Sequence, residues 1–241
     1  MKDYDPVLSF GADSARAHDL RGDEEEAVAF LASLAGRGPA LELAIGTGRI
    51  ALPLAARGLR VDGIDIAPAM LERLREKPGG AALDVRLGDF ADVDVPGRYP
   101  LVFVLWNSFY NLLSQDEQVR CLQNVAARLE PGGAFVVEGF VPAFLHRLER
   151  HQRVETEAIE VDAVRLGAMR HDPALQRLEQ THVDLTAQGL SMTPVVQRYV
   201  WPAELDLMAR IAGLRLEVRY GGFRQEPFDA DSRLHVSVYR R

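Results

Sequence analysis

The chain has a single cysteine, Cys121, in 241 residues, so no intramolecular disulfide can form and the fold has to rest on its core. Lysine occurs only at positions 2 and 77 while arginine is plentiful, a bias without a chemical message. Positive charge does not dominate: the net charge is −7 and the isoelectric point about 5.4. That balance argues against a nucleic-acid partner or an anionic membrane surface. Nowhere do 18 apolar residues run consecutively, so no bilayer-spanning helix is expected. The first ten residues lack a basic stretch followed by an apolar one, and a cytoplasmic location is the expectation. Histidines stand at 18, 146, 151, 171, 182 and 235, without H-x-x-x-H or H-E-x-x-H spacing, and no metal site is expected. The G-x-S-x-G and G-x-x-x-x-G-K patterns are absent too, which excludes a nucleophile-elbow hydrolase and a Walker nucleotidase.

What is present is organised around Leu41–Ala51, LELAIGTGRIA. Apolar residues at 41, 43 and 45 read as a buried strand. Gly46 and Gly48 permit a tight turn, and Ile50, Leu52, Leu54 and Ala55 supply an apolar helix face that ends near Gly58. A strand, a glycine turn and a helix start make a ligand site, because the free N–H groups of the turn and the positive end of the helix point outward. Gly46 to Ala51 fits the dinucleotide pattern G-x-G-x-x-A, which leaves a nicotinamide cofactor open. Three acids accompany the turn: Glu42 ahead of it, Asp65 at the carboxyl end of a second strand (60–65), and Asp89 after a third (83–87).

With those acids the stretch resembles the first motif of class I S-adenosylmethionine (SAM) methyltransferases, an acid followed by x-G-x-G-x-G, with Ala44 where that family usually has its first glycine. The resemblance covers about 41–139. It implies an α/β Rossmann-like fold: a seven-stranded, mostly parallel sheet in the order 3-2-1-4-5-7-6, with helices on both faces. It also implies a SAM site that includes Glu42, Ala44 and Gly46, with Asp65 on the ribose hydroxyls and Asp89 and Phe90 at the adenine. Ile66, Met70, Leu105 and Asn107 are further expected cofactor contacts, and Tyr4 is the residue by which an N-terminal arm, 1–22, would close over the cofactor. Capping of the following helix is the alternative role for Asp65.

Along the chain, Ala27, Phe30, Leu31 and Leu34 mark an amphipathic helix, and Pro68 starts another that carries Met70, Leu71 and Leu74. Residues 99–105 read as strand four. Trp106 to Asn111 is a polar and aromatic loop that suits the reacting end of a site. Ser114 with Glu117 forms a capping box for a helix reaching Leu129, stopped by Pro131-Gly132-Gly133. Strand five is expected over 134–139, with Glu138 either paired or facing the pocket. Residues 151–200 break the alternation of strand and helix. Three strand-like runs, 154–161, 177–186 and 195–201, suggest an inserted antiparallel cap, similar to the one covering substrate in sugar and glycine N-methyltransferases. After a helix opened by Pro202, strands 214–220 and 234–239 form a closing hairpin.

The expected activity is therefore methyl transfer to nitrogen or oxygen of a small molecule, a specialised metabolite, by a single domain acting as monomer or homodimer. A nicotinamide oxidoreductase and a non-catalytic SAM-binding protein are the alternatives. Alignment of the reactants should dominate catalysis, with any acid–base group among Glu138, His146 and Tyr110. Trp106, Phe109, Tyr110, Phe140, Phe144, Tyr199 and Trp201 suggest an aromatic-walled acceptor pocket.

Overall fold

The structure, a computed structural model, describes residues 1–2, 4–11, 14–15 and 24–241. Much of the expected 1–22 arm, including His18, lies outside the described residues. The arm begins with a short helix α1 (Pro6–Ser9), capped by the Asp5 side chain. The chain continues through α2 (Glu25–Ala35), β1 (Ala40–Leu43), α3 (Ala51–Ala56), β2 (Val61–Asp65), α4 (Pro68–Glu76), β3 (Asp84–Leu87), β4 (Tyr99–Val104), α5 (Gln115–Arg128) and β5 (Leu129–Phe140). Strands β6 (Gln152–Ile159), β7 (Ala163–Asp172), β8 (Arg177–Thr186) and β9 (Gly189–Arg198) follow, then α6 (Pro202–Ile211), β10 (Arg215–Tyr220) and β11 (Leu234–Arg240).

The main sheet runs β3-β2-β1-β4-β5-β11-β10. Pairing is parallel from β3 to β5, and β11 lies antiparallel to both β5 and β10. This is the expected order. Residues alternate between two cores, as a sheet covered on both faces requires. Leu41, Leu43, Val102, Val104, Phe135 and Val137 pack toward α5 and α6. Leu101, Phe103, Val136, Ile50 and Leu54 pack with Phe30 and Leu31 of α2 on the other side. Strand β5 starts at Leu129 rather than Ala134. Pro131–Gly133 is absorbed as an irregularity in the register with β4, and α5 stops at Arg128.

The inserted cap is a four-stranded antiparallel meander, β6-β7-β8-β9, where the sequence suggested three strands. The missed strand is β7. Its residues are half-buried on both faces, so polar and apolar residues do not alternate along it, and Gly167 interrupts it. The run expected at 195–201 is only the end of β9; Tyr199 and Val200 lie in the core and Trp201 caps α6.

A buried polar cluster fastens the cap to the main sheet. Arg198, at the end of β9, donates to Gln118 Oε1 of α5 (2.6 Å), Glu204 Oε1 of α6 (2.8 Å) and Gln176 Oε1 (3.1 Å). Gln118 Nε2 in turn donates to the Arg198 carbonyl, 2.9 Å away. A nearly enclosed guanidinium with three side-chain acceptors, one of them a carboxylate, keeps its charge without stranding it, and fixes where the cap sits.

Candidate active site

Two adjoining cavities open at the carboxyl ends of β1, β2 and β4, where a parallel α/β sheet presents its ligand site. The first, of about 320 Å³, is lined by Ala44, Gly46, Asp65, Ile66, Met70, Asp89 and Phe90 from the main sheet, with Pro6 and Phe10 of the arm closing it. Ser108, Asn111, Leu112, Leu113 and Glu117 complete its wall. Seven of the eleven expected cofactor residues thus share one cavity.

Backbone conformation shapes its floor. Ala44, Gly46 and Gly48 all have positive φ, at 56°, 56° and 78°, so alternate peptides of LAIGTG turn in the left-handed region. At Gly48 a side chain is also excluded sterically, since a Cβ there would lie 2.4 Å from Leu74 Cδ1. Ala44 adopts a conformation that costs a non-glycine residue roughly 1–2 kcal/mol, which explains why glycine is the usual occupant.

Asp65 holds this turn in place. Its Oδ2 accepts from Gly46 N–H (2.8 Å) and its Oδ1 from Ala67 N–H (2.9 Å) at the start of α4. The capping alternative is not what the structure shows: Ala67 precedes the first helical residue and no side chain caps α4, so Asp65 ties the glycine turn to the 65–67 loop and lines the cavity. Burial raises its pKa, against the opposing effect of the Ala67, Gly46 and Ile66 N–H donors. Asp89 is held by one bond from Ala91 N–H, 2.8 Å long. Glu42 lies beneath the turn in the central strand. Burial pushes its carboxyl well up, opposed by the Arg49 charge, and its Oε2 is buried without a hydrogen-bond partner.

An apolar slot with one carboxylate at its floor and a second at its rim fits an adenosine: Asp65 suits ribose hydroxyls, Asp89 an exocyclic amine, and Ile66, Met70 and Phe90 the faces of a base. The arm covers it, but not as expected. Pro6 and Phe10 reach the cavity, Ala15 packs on Ala67 and Met70, and Tyr4 lies outside the lining with its hydroxyl shielded. Leu105 is in the core instead.

The second cavity, of about 280 Å³, lies between the 106–111 turn and the cap, and shares Phe10, Ser108 and Asn111 with the first. Its other walls are Trp106, Asn107, Arg165, Gln180, His182, Thr193, Val195, Gln197 and Ser14. The lining is rich in hydrogen-bonding groups, contrary to the aromatic pocket that the sequence suggested. Of the seven aromatic residues nominated, only Trp106 reaches it. Most of the others pack on one another, as in the 5.0 Å edge contact of Tyr110 with Phe140.

The nominated acid–base residues are placed elsewhere. Glu138 lies under the turn, its carboxylate accepting from the N–H of Trp106. Trp106 and Asn107 both have positive φ, and the Asn107 Oδ1 accepts from Phe140 N–H at 2.7 Å. Glu138 therefore braces the turn, and Asn107 belongs to the second cavity. Tyr110 is fully buried; its hydroxyl donates to the Phe140 carbonyl (3.0 Å) and lies 3.2 Å from His235 Nε2. Its ring covers Gly139, where any Cβ would collide with it, and burial raises its pKa. His146 is exposed beside the rings of His171 and Trp201, outside both cavities. The cap residues Arg165, Gln180, His182 and Gln197 were missed. Alternate spacing of 180, 182 and 184 along β8 was the available signal, but only the fold shows which face of that strand looks inward. Among the described residues no group of three or more histidine, cysteine or acidic side chains could hold a metal ion.

The family model described as a methyltransferase domain matches residues 40–133. The cypemycin N-terminal methyltransferase of a Streptomyces species is 30% identical over 203 residues, 83% of this chain and 82% of that protein. Among solved structures, the CcbJ methyltransferase from Streptomyces caelestis is 42% identical with a TM-score of 0.91, covering 98% of this chain and 99% of that one. The sugar N-methyltransferase KedS8 from a Streptoalloteichus species shares the fold, with a TM-score of 0.72 at 20% identity over 100% and 97% of the two chains. The chain belongs to the class I SAM-dependent methyltransferases.

Proposed function

We propose that this protein methylates the nitrogen of a small, polar amine, with SAM held in the first cavity and the acceptor in the second. The observation that carries this reading is the junction: two cavities with different linings share Phe10, Ser108 and Asn111. A polar wall of amides and hydroxyls suits an acceptor with several hydrogen-bonding groups, such as an amino sugar or the amino end of a short peptide. The similarity to a cypemycin N-terminal methyltransferase supports nitrogen as the target.

SAM supplies a methyl group on a sulfonium, whose leaving group is a neutral thioether. What remains for the protein is to align the reactants and exclude water, contributions worth roughly 7–11 kcal/mol in favourable cases. Phe10 and the shared turn serve both purposes. Gln197 ties the turn to the cap, donating to the Asn107 carbonyl and to Asn111 Oδ1, each at 3.3 Å.

Calorimetry with SAM, S-adenosylhomocysteine and NAD tests the first cavity. Mass spectrometry of products from a panel of amino sugars, peptide amines and phenols tests the second. The expected results are binding of the two SAM-type nucleosides without NAD, and a mass gain of one methyl group on amines. Methylation confined to phenols would overturn the nitrogen assignment.

A further inference from the structure

The inward face of the cap carries a carboxylate–imidazole pair that bridges three strands. Glu157 sits on β6 at a bulge, the residue left without a partner between the Thr156↔Leu166 and Ala158↔Arg165 pairs. His182 on β8 lies opposite Gly167 of β7. Because Gly167 has no side chain, the Glu157 carboxylate reaches across β7 and places both oxygens 2.9 Å from His182 Nδ1. A Cβ on Gly167 would lie 2.3 Å from Glu157 Oε1.

A carboxylate can only accept, so Nδ1 carries the proton and donates it. In the neutral ring Nε2 is then the unprotonated nitrogen. No hydrogen bond to Nε2 is present among the described residues, and His182 lines the second cavity. Other charges on this face are already matched: Arg165 of β7 pairs in two-pronged fashion with Asp184 of β8, at 2.6 and 2.9 Å. From β9 the cavity receives Thr193, Val195 and Gln197, and from the 106–111 turn likewise only neutral groups.

From this arrangement we infer that His182 is the proton acceptor for the amine substrate, held in the working tautomer by Glu157 as a positioning residue. The inference rests on the reading of the second cavity as the acceptor site. An alkylamine arrives largely as its ammonium ion, whose nitrogen has no free electron pair. Transfer of one N–H proton to Nε2 breaks that N–H bond, leaves its electron pair on nitrogen and forms an imidazolium beside Glu157. The amine is then a nucleophile, and the imidazolium later returns its proton to water.

The test has a spectroscopic arm and a kinetic arm. Nitrogen-15 spectra of the full-length protein labelled at histidine should show His182 protonated at Nδ1 and bare at Nε2, with His182→Gln making the assignment. Gly167→Ala and Glu157→Ala should each erase that preference, the first by pushing aside only the flexible end of a side chain. A wild-type spectrum with the proton on Nε2 overturns the proposal. In the kinetic arm, run with whichever amine of the panel is turned over, His182→Gln should lower kcat/KM by roughly 10²- to 10⁴-fold at neutral pH. That deficit should shrink with rising pH as the free amine accumulates, which lost binding alone would not do. An unchanged pH profile in His182→Gln refutes the role of His182 and leaves the methyltransferase reading standing. Absence of turnover on every amine by the wild-type protein refutes the acceptor-site reading, and the role of His182 with it.

Discussion

Replacing Glu138 by glutamine should make the stability of this protein less dependent on pH, in a direction that its surroundings dictate. Burial raises the Glu138 carboxyl from 4.5 to about 7, against the opposing pull of the Trp106 and Asn107 N–H donors. The folded state therefore holds this proton more tightly than the unfolded chain. Its contribution to stability is full below about 4.5 and is lost as pH rises through about 7. At about 1.4 kcal/mol per pH unit the loss comes to roughly 3 kcal/mol. His235 works the other way: burial pushes it down from 6.5 to about 3, so its contribution is present above 6.5 and lost as pH falls. Between about pH 4.5 and 6.5 the two oppose each other, and the wild-type curve alone does not isolate either. The difference between Glu138→Gln and wild type does, because His235 cancels. Glutamine retains a carbonyl oxygen for the Trp106 N–H and has no proton to lose. Urea denaturation in steps from pH 4.5 to 8 should show that difference moving in the variant's favour by roughly 3 kcal/mol. A difference that stays flat, or that moves against the variant as pH rises, would refute the argument that a desolvated carboxyl braces this turn.

Two further outcomes follow from the same bonding. Asp65→Ala should leave the Gly46 and Ala67 N–H groups unpaired, at roughly 1–3 kcal/mol each, and weaken S-adenosylhomocysteine binding at least about tenfold; wild-type stability and affinity in calorimetry would remove Asp65 from both roles. Arg198→Ala should destabilise the protein by roughly 3–5 kcal/mol, because Glu204 and Gln118 lose a buried cationic partner; a denaturant midpoint within error of wild type would show that the cap is fastened elsewhere.

The sequence by itself determined whatever depends on local chemistry and strict periodicity. The glycine turn, Asp65 and Asp89 at strand ends and the Ser114–Glu117 capping box were legible because buried strands, caps and left-handed turns each demand particular residues at fixed spacing; the sheet order followed from the family resemblance. Half of the first cavity was legible for the same reason: Ala44, Gly46, Asp65, Ile66, Met70, Asp89 and Phe90 lie on or near segments that directly follow β1, β2 and β3. The acceptor side was not. Glu138, Tyr110 and His146 were reasonable nominees by proximity in sequence to β4 and β5, yet two of them are buried in the protein and the third packs on His171, Tyr199 and Trp201 away from both cavities, and nothing in a strand's own residues says which face an inserted sheet will cover. His182 and Glu157 are 25 positions apart and meet over Gly167 only because a bulge, two strand registers and one missing side chain coincide. Which face of the meander looks inward is set by how the cap sits on the main sheet, to which Arg198 and Gln197 bond it. That long-range choice has no local signature, and it is the tertiary structure that decided it.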